Sequence, residues 1–171
     1  MIFLPDNIQP KQLLKSIIDL SWDVIKIFNS YSKNNQSSYD FQSKLKIFNY
    51  ESGPVTSVDL EISEFIKQEI KDKFPRACWD FLSEEDTKNK KSKKFKSKWV
   101  WIIDPIDGTK DFINQTGEYA MHLALNYENK VVLAVVPIPS KNQIWISFEG
   151  LGTWCETLDS KNISPIKTTS M

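Results

Sequence analysis

The sequence is poor in the residues that most often advertise a function. It holds one histidine, His122, and two cysteines, Cys78 and Cys155, in 171 residues. His122 falls within a strand-like run and reads as a satisfied core or sheet-face residue, so no chemistry is placed on it. The cysteines form no C-x-x-C pair and read as buried free thiols of a reducing cytoplasm rather than a disulfide. Neither sign of charge is in excess, with 22 basic and 22 acidic residues. That balance argues against a global field for nucleic acid or membrane. No apolar run is long enough to span a bilayer. The start, M-I-F-L-P-D-N, is too short and too soon acidic for a secretory leader. A cytoplasmic protein is expected, with one domain and a proper core.

What the chain does have is concentrated at residues 99–112, W-V-W-I-I-D-P-I-D-G-T-K-D-F. A short apolar run, Val100 to Ile103, stops at Asp104 and Asp107, and Gly108 with Thr109 opens a helical turn. A buried strand would thus deliver two carboxylates beside a helix start. Hard divalent cations take carboxylate and carbonyl oxygens, and backbone N–H groups at a helix start attract anions.

Before this stretch, Leu13, Leu14, Ile17, Ile18, Trp22, Ile25 and Phe28 recur at helical spacing between about Ile8 and Tyr31. A polar surface loop and a short extended run, 45–50, follow. Val58, Ile62, Phe65, Ile66 and Ile70 then mark a second helix, which Phe74 and Pro75 end. Thr56 with Asp59 resembles a capping box, in which Asp59 merely caps the helix. Residues 77–82 suggest a strand running into Ser83-Glu84-Glu85-Asp86, whose acids read by themselves as a solvated loop. Residues 87–98 are lysine-rich and read as a mobile loop that also helps attract an anionic substrate, rather than as a nucleic-acid patch. Beyond the central stretch, 118–127 and 130–137 read as strands joined at Glu128-Asn129-Lys130. Ile144, Ile146 and Phe148 alternate on one face of another strand, with Trp145 on the other. The fold class is α+β, two N-terminal helices packed on a mostly antiparallel β-sheet.

In order, P-V-T-x-x-D, S-E-E, D-P-I-D-G-T-K-D-F and G-x-G-x-W resemble the magnesium-dependent, lithium-sensitive phosphomonoesterases. These are the inositol monophosphatases, fructose bisphosphatases and bisphosphate nucleotidases. The resemblance runs from the first helix to about Ile166, and D-P-I-D-G-T is its most specific part. Lys110-Asp111-Phe112, Phe81-Leu82-Ser83-Glu84-Glu85 and Pro137-Ile138-Pro139 resemble the 3′(2′),5′-bisphosphate nucleotidase branch of sulfate assimilation.

The resemblance implies a role for each of several residues. Glu84, Asp104 and the Ile106 carbonyl would hold a first Mg2+, with Asp104 bridging to a second that Asp107 also binds. Glu85 would be a weaker or outer ligand. Asp59 and Thr109 would orient the attacking water, and a neighbouring carboxylate is what makes a threonine hydroxyl plausible as a base. Gly108 and Thr109 N–H groups would grip the phosphate; apart from the resemblance, the charge of Lys110 suggests that it meets the substrate's other phosphate.

Family members continue for about another hundred residues, into a second α/β domain with a W-D metal ligand. Neither Trp22-Asp23 nor Trp79-Asp80 replaces that pair. Residues 1–171 therefore read as one N-terminal metal-phosphatase domain, the first half of a layered αβαβα fold with the C-terminal domain missing. The expected activity is removal of the 3′-phosphate from adenosine 3′,5′-bisphosphate or its sulfated form, impaired by truncation. One alternative is an inositol or sugar-phosphate phosphatase; another is an inactive domain that binds metal or a partner chain. The expected partners are a phosphorylated small molecule and, through an exposed sheet face, a second copy or a complementing C-terminal half. No nucleic acid and no membrane are expected.

Overall fold

A computed structural model describes residues 4–31, 45–51, 53–88, 94–158 and 165–166. Helix α1, Pro10–Ser30, opens on a proline, whose missing N–H costs nothing in a first turn. It buries Leu13, Ile17, Leu20, Ser21, Val24, Ile25 and Phe28. The buried stripe is turned from the expected one. Leu14, Ile18 and Trp22 flank the core, while Leu20 and Val24 are fully buried. The cause is that α1 packs on the sheet and on a second helix together, which periodicity alone cannot locate.

Strands β1, Ile47–Tyr50, and β2, Gly53–Thr56, form an antiparallel hairpin that feeds helix α2, Ser57–Lys73. The capping box is formed: Asp59 N donates to Thr56 Oγ1 and Thr56 N donates to Asp59 Oδ2. The helix closes at Phe74, directly before Pro75, whose ring disfavours helical backbone in the preceding residue.

Seven strands make the main sheet, in chain order: β3 Asp80–Ser83, β4 Trp99–Asp107, β5 Ala120–Tyr127, β6 Lys130–Ile138, β7 Gln143–Phe148, β8 Gly152–Thr157 and β9 Pro165–Ile166. Among the described residues only β3 and β4 are parallel; the other neighbours in this sheet are antiparallel. The α+β class read from the sequence is therefore the observed one. Short helices α3, Glu84–Lys88, and α4, Thr109–Asn114, follow β3 and β4 directly. Trp101, Ile103, Leu123, Leu125, Leu133, Val135, Ile144 and Ile146 form the sheet's share of the core. The other face carries Ile102 and Trp145, which are 37% and 36% exposed.

Several sequence expectations are corrected. The three acids after Ser83 open the helix α3 rather than a loop, and Glu85 is buried. Acidic residues suit a first helical turn, where N–H groups lack partners. The hairpin turn between β5 and β6 is Glu128-Asn129, both with positive φ (48° and 68°), the pattern of a type I′ turn. The cysteines are free, but Cys78 is exposed and Cys155 only half-buried. Burial and the charge of Glu156 push the Cys155 thiol up. Of the two places read for His122, core or sheet face, the sheet face is the observed one, with its side chain 47% exposed. Of the lysine-rich segment, residues 89–93 lie outside the described residues. Its far end is anchored, with the N–H groups of Lys96 and Ser97 donating to Asp80 Oδ2 at 2.6 and 2.7 Å. Among the described residues no helix is long and apolar enough to cross a membrane.

Candidate active site

Strand β4 does not stop at Asp104, as its sequence suggests, but continues through Asp107. Asp104 pairs with His122 and Asp107 with Ala120, so three steps along β4 oppose two along β5. One extra residue in a strand is a β-bulge. Its consequence is a change of face, because side chains alternate along a strand and one inserted residue reverses the parity. Without the bulge, Asp104 and Asp107 would point to opposite faces. With it, both share the face of His122 and Ala120, while Pro105 and Ile106 are buried. Pro105 fits here because a bulge excuses the ladder N–H that proline lacks.

The parallel pairing of β3 with β4 adds a third carboxylate to this edge. Ser83 pairs with Ile103, so the chain leaves β3 at Glu84 where β4 reaches Asp104. The two acid-bearing segments, 20 residues apart, exit at the same end of the sheet. Ser63 Oγ, on α2, donates to Ser83 Oγ at 2.9 Å, a fully enclosed contact that fixes α2 over this exit.

The first turn of α2 carries Asp59, which has no exposed surface. Burying a carboxylate is costly unless its oxygens accept hydrogen bonds. Oδ2 accepts from Thr56 N at 2.7 Å and from Thr56 Oγ1 at 2.5 Å. Oδ1 faces Thr109, whose Oγ1 lies 3.5 Å away and also 3.0 Å from the Ile106 carbonyl oxygen. Asp59 thus does both things that the sequence left open: it caps α2 and it meets Thr109. Gly108, between β4 and α4, has φ of +87°, and a Cβ there would lie 2.7 Å from the Glu118 carbonyl oxygen. Only glycine fits this turn without displacing backbone.

His122, on which the sequence places no chemistry, stands beside this edge: its Nε2 lies 3.8 Å from Asp107 Oδ2, beyond hydrogen-bond range. The signal that would have shown this is the β4–β5 register. Lys110 stands exposed in the first turn of α4.

Oxygen is the donor type that a small hard cation takes. Glu84, Asp104, Asp107 and the Ile106 carbonyl offer oxygen only. Among the described residues no group of three or more His, Cys, Asp or Glu side chains is close enough to hold a metal ion. A closed protein cage is therefore not built. Magnesium seldom uses one; it is held by one or two carboxylates and keeps water and phosphate oxygens as its other ligands.

Comparison with known proteins places the chain in a family. The family model described as the inositol monophosphatase family matches residues 9–170. The 3′(2′),5′-bisphosphate nucleotidase CysQ of Haemophilus influenzae is 31% identical over 136 residues, 80% of this chain and 49% of the relative. The Escherichia coli CysQ is 32% identical over 100 residues, 58% of this chain and 39% of the relative. An inositol monophosphatase of Dictyostelium discoideum is 26% identical over 163 residues, 93% of this chain and 54% of the relative. The fold matches the crystal structure of a staphylococcal IMPase-I complexed with products, with a TM-score of 0.68 at 24% identity. That match covers 86% of this chain and 51% of the other. The chain spans about half the length of the curated relatives it matches. The chain belongs to the inositol monophosphatase family.

Proposed function

We propose that this chain is the metal- and phosphate-binding half of a magnesium-dependent phosphomonoester hydrolase. Its proposed substrate is adenosine 3′,5′-bisphosphate or the sulfated form, and the 3′-phosphate is removed. The observation that carries the reading is the bulge that turns Asp104 and Asp107 to one face, beside the Asp59–Thr109 contact. Glu84, Asp104, the Ile106 carbonyl and Asp107 would hold the cation. Bound there, magnesium would offset the charge of the phosphoryl oxygens and lower the pKa of a water.

The chain's own residues supply the proton path. Thr109 Oγ1 takes a proton from the attacking water as its own hydroxyl proton passes to Asp59 Oδ1. Thr56 holds Asp59 in place through Oδ2, leaving Oδ1 aimed at the hydroxyl. A threonine alone is a very weak base, and the enclosed carboxylate is what makes the transfer feasible. Gly108 and Thr109 N–H groups, at the turn into α4, would face the phosphate. The nucleotide substrate is favoured by the CysQ relatives.

A second reading, an inositol phosphate substrate, is supported by the Dictyostelium inositol monophosphatase, whose match covers 93% of this chain. Phosphate release from adenosine 3′,5′-bisphosphate and from inositol 1-phosphate, each with and without Mg2+, separates the two. The first reading expects the nucleotide to be turned over at least about tenfold faster in kcat/KM, a difference of roughly 1.4 kcal/mol. Preference for the inositol phosphate would establish the second.

A further inference from the structure

Next to Asp107 the rim of the sheet is hollowed into a cavity of about 170 Å3, whose lining includes Asp107, Glu118, Tyr119, Ile138 and Lys141. Its walls are fixed from several directions. The Tyr119 ring packs against Phe28 and Phe112, with centroids 5.5 and 5.2 Å apart. Ser140 Oγ donates to the Gly117 carbonyl at 2.8 Å, so the short 3-10 turn Pro139–Lys141 is tied to the loop before β5. Thr116, in the same loop, is held to Asp111 by its N–H at 3.1 Å and its hydroxyl at 2.9 Å.

The cavity has one cationic lining residue, Lys141, against the carboxylates of Asp107 and Glu118. Other strand-end lysines are already engaged: Lys130 pairs with Glu149 at 2.8 Å, and Lys98 pairs with Glu128. Lys141 enters no such pair among the described residues. Lys110, the sequence candidate for a second phosphate, does not line this cavity. An anion here meets Asp107 and Glu118 as repulsive neighbours, so its binding depends on the charge of Lys141.

We propose that Lys141 holds the second anionic group of the substrate while the reacting phosphomonoester lies at Asp104 and Asp107. The cavity thereby selects substrates with two phosphates over those with one. This rests on the phosphatase reading above. Because Ser140 and Tyr119 fix the cavity wall and not the lysine head, the discrimination resides in charge and reach rather than in a shaped pocket.

The test is calorimetric binding of adenosine 3′,5′-bisphosphate and adenosine 3′-monophosphate to the full chain, with Ca2+ in place of Mg2+ to avoid turnover. Lys141→Gln is expected to weaken the bisphosphate about tenfold, the loss of one charge-assisted hydrogen bond, and to leave the monophosphate unchanged. Lys141→Arg should stay within about threefold of wild type for both ligands, and Glu118→Gln should tighten the bisphosphate alone. Equal effects of Lys141→Gln on the two nucleotides, or no effect, would overturn the assignment. So would a selective loss in Lys110→Gln that Lys141→Gln does not show. A wild-type chain that binds neither nucleotide in a cation-dependent way overturns the phosphatase reading, and this inference with it.

Discussion

Thr109 Oγ1 lies 3.5 Å from Asp59 Oδ1, across 50 residues of sequence, and joins the first turn of α2 to the exit of β4. The same hydroxyl lies 3.0 Å from the Ile106 carbonyl oxygen. Removing it while keeping the side-chain shape isolates its chemistry. Thr109→Val is expected to lower kcat by about a hundredfold or more, while Thr109→Ser stays within about tenfold. Steady-state kinetics on both variants checks this, with circular dichroism to show that the fold is kept.

Thr56 supports Asp59 and caps α2 at once, accepting from Val58 N and Asp59 N and donating to Asp59 Oδ2. Thr56→Ala should destabilise the chain by about 1–2 kcal/mol, the usual cost of a lost cap. Urea denaturation would show a lower midpoint with an unchanged slope. Thr56→Ser should recover most of the loss.

The capping box was legible in the sequence because its partners, Thr56 and Asp59, lie three residues apart, within reach of a local rule. The D-P-I-D-G-T stretch was legible as chemistry but not as geometry. Asp104 and Asp107 read as the end of the strand, and the bulge that continues it depends on the register against β5. His122 and the side-by-side exit of β3 and β4 were hidden for the same reason, since pairing between distant strands leaves no mark on either one. The buried face of α1 shares Leu13, Ile17, Ile25 and Phe28 with the expected stripe but is turned toward Leu20 and Val24, because a sequence shows a stripe and not the directions from which the sheet and α2 approach it.

Gly108 and Gly150 offer a matched pair of substitutions. Both have positive φ, +87° and +84°, but a Cβ at Gly108 would meet the Glu118 carbonyl oxygen at 2.7 Å, while at Gly150 nothing lies within 4 Å. Gly150→Ala should cost about 1 kcal/mol for the left-handed backbone alone. Gly108→Ala should cost about 2–4 kcal/mol, because backbone must also move. Thermal melts of the two variants measure the difference.

Tyr31 at the end of α1 donates its hydroxyl to Glu61 Oε2 on α2 at 2.7 Å. Its pKa is pushed up from 10.0 to about 12, first by burial and then by the hydrogen bond to Glu61 and its charge. The folded state therefore keeps this proton where the unfolded chain has released it. The contribution is fully present below pH 10.0 and is lost as pH rises toward about 12. Stability measured from pH 9 to 12 should fall more steeply in wild type than in Tyr31→Phe, and identical slopes would contradict the contact.

The central claim is that the face shared by Asp104 and Asp107 carries magnesium-dependent phosphate-ester hydrolysis. The most direct measurement is phosphate release from adenosine 3′,5′-bisphosphate by wild type and by Asp107→Asn, across a Mg2+ titration. Release is expected to rise with Mg2+ in wild type and to be abolished in Asp107→Asn while the melting temperature is kept, since Asp107 is exposed. Release that ignores Mg2+, or an Asp107→Asn variant as active as wild type, would contradict the account.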